Sequence, residues 1–182
     1  MKKFKRKVNK FAVVTEEPKK SLIDLKKNFK NLKDKLKKCN INDTKEKYDA
    51  CVNGIRDSFN ADFTNQQKEL LGKEDKENFE SNLKDLIKNY LELKNLEEEK
   101  KELNNKREDL MLKLNQCKTF GCSPVQINEY TDQLDKAGND FNEAKKKQAS
   151  INDSNKKLKK ENTTIIKNKI QANFKRNRKK NK

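Results

Sequence analysis

Two long apolar stripes limit the fold of the chain more than any other feature. They occupy residues 79–117 and 127–165. The second alternates between spacings of three and four, and the first has mostly heptad spacings with one interruption after Leu93. This spacing is typical of helices that bury one narrow stripe against a neighbouring helix. Facing positions, such as Leu103 and Phe141, have residue numbers that add to 244. Because two helices folded back on each other require a constant sum, the sequence predicts an antiparallel coiled-coil hairpin.

Polar residues recur within the second stripe. Gln148, Asn155 and Asn162 lie seven residues apart and share one class of stripe position. A buried amide at such a position lowers stability but helps to fix the register. The stripes also fit helices that pair between two chains, and the sequence leaves this alternative open.

The predicted turn lies near residues 118–124. Gly121 favours the left-handed conformation that ends a helix, and Pro124 suits the first position of the next one. Ser123 and Gln126 have the spacing of a capping box. The arms on either side would be about 45–50 residues long, which predicts a rod of roughly 70 Å.

A shorter helical hairpin is predicted before the long one. Its first apolar stripe follows a capping box at Ser21 and Asp24, and its second includes Tyr48 and Phe59. Leu32 faces Phe59 if these helices also fold back on each other, at a sum of 91. The predicted organisation is therefore a basic N-terminal arm, a short hairpin, a long hairpin and a basic C-terminal tail, at residues 1–20, 21–62, 63–172 and 173–182.

Composition agrees with thin helices rather than a thick core. Hydrophobic residues make up 31% of the chain and charged residues 41%, whereas typical domains have about 45–50% and about 25%. Four glycines and two prolines are too few for a flexible linker protein. The predicted class is all-α: an elongated antiparallel coiled-coil hairpin preceded by a short helical hairpin, with basic flexible termini.

The four cysteines fall into two local pairs. Cys39 and Cys51 face each other near the short turn, and Cys117 and Cys122 flank the end of a long helix. We expect two disulfides, which would stabilise a protein with little core. The alternatives are four free thiols, with Cys117 as a small hydrophobic residue, or a four-cysteine zinc site. Our prediction includes no metal and no cofactor.

Positive charge is concentrated at the two ends. The net charge is +17, and residues 1–10 and 167–182 carry six and eight Lys or Arg with no acidic residue. Such ends fit nucleic acid, an anionic membrane surface or an acidic protein, unless they are simply solvated. The candidate polyanion-binding residues are Lys2, Lys3, Lys5, Arg6, Lys7, Lys175, Arg176, Arg178, Lys179 and Lys180.

Enzymatic motifs are absent from the sequence. It has no histidine, no glycine-rich phosphate loop and no nucleophile elbow. We therefore expect no catalysis and no small-molecule substrate. The first hypothesis is a structural protein that cements or spaces components of a large complex, such as a virion, a cytoskeletal array or an organellar machine. The second is a nucleic-acid-associated protein that binds phosphates through its termini.

Two further expectations concern contacts and location. Thr119 and Phe120 lie at the predicted tip between two cysteines and are candidates for a protein contact. The first apolar run, at residues 11–14, is too short for a secretory signal, and no stretch has the length of a membrane span. This predicts an intracellular, organellar or virus-particle location rather than classical secretion, and no transmembrane segment.

Overall fold

The computed structural model describes residues 10–180, and the side chains of residues 18–176. Over these residues the chain forms helices and no strands. The five helices are α1 (Lys10–Leu36), α2 (Lys45–Asp62), α3 (Asn65–Leu71), α4 (Lys73–Phe120) and α5 (Pro124–Lys180). The predicted all-α class is confirmed, and the two long helices, α4 and α5, pack against each other.

The described chain divides into two compact units. The first unit holds the described residues up to Cys39, Ala50–Ile87 and the described residues from Lys157. The second unit holds Asn40–Asp49 and Lys88–Lys156. Helices α4 and α5 contribute to both units.

Aromatic rings form the centre of the first unit. Phe79 of α4 is fully buried, and its ring centroid lies 5.4 Å from that of Phe29 and 5.3 Å from that of Phe63. Phe59 of α2 lies 6.2 Å from both Phe29 and Phe79. All members of the first predicted stripe, which runs along α1 and just beyond its end, are buried: Leu22, Leu25, Phe29, Leu32, Leu36 and Cys39.

The second unit has an aliphatic core with a buried lysine at its edge. Leu93 and Leu96 of α4 pack with Ala144 and Ile151 of α5, and Ile41 packs against this cluster. The side chain of Lys94 is only 2% exposed. Its ammonium donates to the carbonyl of Ile41 at 3.0 Å and lies 3.3 Å from a carboxylate oxygen of Glu98, so this charge is paired.

Amide side chains connect α4 and α5 within each unit. In the first unit, Asn162 accepts from Asn82 at 3.1 Å and donates to the carbonyl of Phe79 at 3.1 Å. In the second unit, Asn89 donates to Asn155 at 3.0 Å. Both asparagine pairs have residue numbers that add to 244. The buried amides therefore have partners, which removes most of the free-energy cost of their burial.

Several helix boundaries differ from the predicted division of the chain. Helix α1 begins at Lys10 rather than at Ser21, and Pro18 lies inside it. Ser21 does not cap the helix, because it lies inside α1. Its carbonyl accepts a bond from the buried side chain of Gln67 at 3.2 Å. Helix α5 continues through Lys180, so the flexible tail predicted from residue 173 is instead helical over its described part.

A short helix also precedes α4. Thr64 and Gln67 form a reciprocal capping box at the start of α3, and Gly72 follows its end with a φ of 78°. A positive φ is accessible to glycine at little cost, so Gly72 separates α3 from α4. The arm predicted from residue 63 is therefore two helices.

Candidate functional site

The turn between α4 and α5 has the predicted local chemistry. Gly121 follows α4 with a φ of 80°, and its N–H donates to the carbonyl of Cys117 at 3.0 Å. The backbone N–H of Gln126 donates to the Ser123 hydroxyl at 3.3 Å, and the Gln126 side chain accepts from the N–H of Ser123 at 3.2 Å. This capping box starts α5 at Pro124, as the sequence predicts.

Both predicted cysteine pairs are at disulfide distance. The Cα atoms of Cys117 and Cys122 lie 4.7 Å apart, and those of Cys39 and Cys51 lie 5.9 Å apart. Their sulfur atoms are bonded within each pair, and no cysteine is free among the described residues. The Cys117–Cys122 bridge therefore closes the turn between α4 and α5 covalently.

Large apolar side chains project into solvent at this turn. Phe120, the last residue of α4, is 84% exposed, and Val125, near the start of α5, is 74% exposed. Thr119 is also exposed, but its hydroxyl donates to the carbonyl of Asn115 within α4 at 3.0 Å. Of the two predicted tip residues, Phe120 is thus the one with an unused contact surface, and Val125 was missed.

Two further exposed apolar residues lie on α4, before the turn. Met111 is 51% exposed and Leu112 is 58% exposed. The first predicted stripe includes Leu110 and Leu114 as residues that face the partner helix, and it does not include Met111 or Leu112. Leu110 is indeed buried, and Leu114 is half-buried.

The polyanion candidates are described only in part. Lys175 and Arg176 are exposed on α5. Arg178, Lys179 and Lys180 lie in the same helix, with side chains outside the described residues. The N-terminal candidates, Lys2, Lys3, Lys5, Arg6 and Lys7, all fall outside the described part of the chain.

Helices α1 and α5 also meet at Lys19 and Phe174 in the first unit. The Lys19 ammonium lies 4.4 Å from the ring centroid of Phe174, which is 44% exposed. This distance permits a cation–π interaction. Lys175 and Arg176 follow Phe174 directly, so basic residues of both helices adjoin this contact.

A second basic feature lies along α1 in the same unit. The ammonium of Lys33 donates to the hydroxyl of Thr163 of α5 at 3.1 Å, and it lies 5.1 Å from the Phe29 ring centroid. Burial lowers the pKa of Lys33 below its ordinary value, more than the neighbouring Asp34 carboxylate raises it. Burial also lowers the pKa of Lys159, with a smaller contribution from Lys37.

No group of three or more metal-ligating side chains occurs among the described residues. None of the described helices is long and apolar enough to cross a membrane. Comparison with family models, curated proteins and solved structures finds no match for this chain.

Proposed function

We propose that this chain is a non-catalytic assembly protein that joins components of a larger macromolecular complex through the turn between α4 and α5. The observation that carries the proposal is the exposure of Phe120 and Val125 beside a covalently closed turn. Aromatic side chains supply much of the binding energy at protein interfaces. A disulfide and a capping box hold the turn before binding, so less conformational entropy is lost when a partner docks.

The finer architecture belongs to the same proposal: α4 and α5 form an antiparallel coiled-coil hairpin with facing residues at a sum of 244. The pairs Asn82 with Asn162 and Asn89 with Asn155 support this register. Intramolecular pairing has a direct test, since helix content that falls on dilution would indicate pairing between chains. Cysteines introduced at Leu103 and Phe141 should crosslink readily, whereas those at Leu103 and Leu134 should not.

The turn contact is tested with purified complex from cells that make a tagged chain. Phe120→Ala should lower the yield of the co-purified partner about tenfold, since truncation of an interface hot spot costs at least about 1–2 kcal/mol. Leu112→Ala, also at an exposed apolar residue of α4, is the matched control and should keep the wild-type yield. Circular dichroism should show equal helix content in both variants. Wild-type recovery of the partner with Phe120→Ala would contradict the proposal.

A second candidate function is the non-specific binding of nucleic-acid phosphates. It is favoured by the exposed Lys175 and Arg176 beside the contact of Lys19 with Phe174. Each cation that neutralises a phosphate releases counterions, which makes affinity salt-dependent. Exposed aromatic rings near such cations can also stack on bases.

Charge substitution separates this candidate from the first. Glutamine at Lys175, Arg176, Arg178, Lys179 and Lys180 should reduce the salt slope of binding to a single-stranded oligonucleotide by about 0.7 for each phosphate that is no longer neutralised. Glutamine at the exposed lysines 145–147 of α5 is the control and should leave the slope unchanged. Equal slopes in the two variants would exclude the end of α5 as the phosphate-binding segment.

A further inference from the structure

A groove of about 320 Å³ lies between α1 and α5 in the first unit. Its apolar part is formed by Ile23 and Phe29 of α1 and by Ile166 of α5. Phe29 and Ile166 are almost fully buried, whereas Ile23 is 44% exposed. An exposed isoleucine beside two buried apolar residues gives the groove an apolar wall that the chain itself leaves partly uncovered.

Lysines of α1 supply the charged part of the groove. Four of them line it, and no carboxylate does so among the described residues: Lys26, Lys27, Lys30 and Lys33. The nearby Asp34 lies 3.9 Å from the Lys37 ammonium, outside the lining of the groove. The groove therefore combines an apolar wall with cations that no lining carboxylate neutralises.

The one neutral hydrogen-bonding side chain that lines the groove, Thr163, is already engaged. The Thr163 hydroxyl accepts from the Lys33 ammonium and donates to the carbonyl of Lys159 at 2.7 Å. No other lining residue has a neutral polar side chain. A nucleobase would find lysine donors here but no free side-chain acceptor for its own N–H groups, and burying those groups without a partner is costly. A hydrocarbon body has no such requirement.

The geometry points to this groove as a binding site for a single-chain anionic amphiphile, with one carboxylate or phosphate head group and a short hydrocarbon tail. The head group pairs with Lys30 and Lys33, and the tail covers the exposed part of Ile23. Small-molecule sites span about 300–1,000 Å³, so this groove suits a small ligand rather than a lipid with two chains. The site is independent of the turn between α4 and α5.

Decanoate and decyl phosphate are suitable probes, titrated below micelle formation into the full oxidised chain by calorimetry. Both should bind if the shared anionic chemistry decides recognition, and binding of only one would identify the head group. Acetate and decyl maltoside are the controls, since the first lacks the tail and the second lacks the charge. We expect each control to bind at least about tenfold more weakly than the best anionic probe.

Substitutions test the two halves of the groove separately. Lys33→Met removes the charge but keeps an apolar stem, and Lys30→Met does so at an exposed position where folding is not at risk. Each should weaken decanoate binding about tenfold, as should Ile23→Asn at the apolar wall. Lys35→Met is the matched control, because Lys35 is an exposed lysine of α1 outside this groove.

An independent readout is the pKa of Lys33, measured by NMR. A bound head group opposes the burial penalty, so the pKa should rise on saturation with decanoate. Failure of both anionic probes to bind would overturn the inference, as would equal binding by Lys33→Met, Lys30→Met and Lys35→Met. If an oligonucleotide bound through Lys33 regardless of Ile23→Asn and decanoate did not, the groove would be a polyanion surface instead.

Discussion

Substitution of Phe79 by alanine tests the aromatic cluster that centres the first unit. Phe79 has no exposed surface, and its ring contacts those of Phe29, Phe59 and Phe63 at centroid distances of 5.3–6.2 Å. Its carbonyl also accepts a bond from Asn162. Phe79→Ala keeps this backbone bond and removes only the ring, so the measurement isolates packing.

The expected magnitude follows from that environment. Truncation of a buried phenylalanine to alanine costs about 3–5 kcal/mol, and favourable aromatic pairs add about 0.5–1.5 kcal/mol each beyond simple burial. Because Phe79 has three ring neighbours, we expect a loss near the upper end, about 4–5 kcal/mol. This loss is large, because the free energy of unfolding of a domain is typically only about 5–15 kcal/mol. Phe79→Leu retains much of the volume and should lose about 1–2 kcal/mol.

Urea unfolding followed by far-ultraviolet circular dichroism measures these losses, with the disulfides intact. Phe120→Ala is the matched control, since Phe120 is 84% exposed and surface substitutions usually stay within about 0.5 kcal/mol of wild type. The dependence of the unfolding free energy on urea should be the same in all variants. If Phe79→Ala and Phe120→Ala had equal unfolding free energies, Phe79 would not be a core residue.

Three further predictions concern single features. Burial, and secondarily Tyr90 and Asp49, raise the pKa of Tyr48 from 10 to about 12. The neutral Tyr48 side chain therefore contributes stability that is fully present below pH 10 and is lost as the pH rises towards 12. Over this range the urea midpoint should fall more steeply for wild type than for Tyr48→Phe. Asn162→Ala removes both the donor to the Phe79 carbonyl and the acceptor of the Asn82 amide, and it should cost about 2 kcal/mol in urea unfolding. Serine at both Cys117 and Cys122 should lower the free energy of unfolding by about 2 kcal/mol, from the entropy of the opened loop, without loss of helix content. Mass mapping of the unreduced wild-type chain should find only the pairings Cys39–Cys51 and Cys117–Cys122.

The parts of the fold that could be predicted are those that periodicity controls. A helix with a narrow apolar stripe can bury it in only one way, so the spacing of residues 22–39 was enough to identify the buried face of α1. The turn was equally accessible, because Gly121, Ser123, Pro124 and Gln126 each act through local backbone chemistry. Neither inference required knowledge of a distant residue.

The parts that were missed depend on distant contacts. Lys94 is buried because its ammonium reaches the carbonyl of Ile41, 53 positions away in sequence, and no local pattern indicates that contact. Ser21 has the spacing of an N-cap but lies inside α1, where its carbonyl accepts from the Gln67 side chain, 46 positions away in sequence. Ile166, rather than the predicted Ile165, is the fully buried member of that pair. The second predicted stripe, with its spacings of three and four, ends at residue 165 and therefore misses this buried residue by one position.

The lysines of α1 show why the candidate sites were only partly predictable. From the sequence, Lys26, Lys27 and Lys30 belong to the solvated face of an amphipathic helix, and they are indeed exposed. Their charge alone would indicate nothing beyond solubility. What distinguishes them is Ile23 on the same helix, whose 44% exposed side chain places uncovered apolar surface next to these charges. Because a narrow core leaves apolar groups close to solvent, lysine stems help to cover them while their ammonium groups remain hydrated. The densest positive charge of this chain therefore lies in its two acid-free ends. Selective binding of an amphiphile requires charge beside apolar surface, and α1 provides both in the groove.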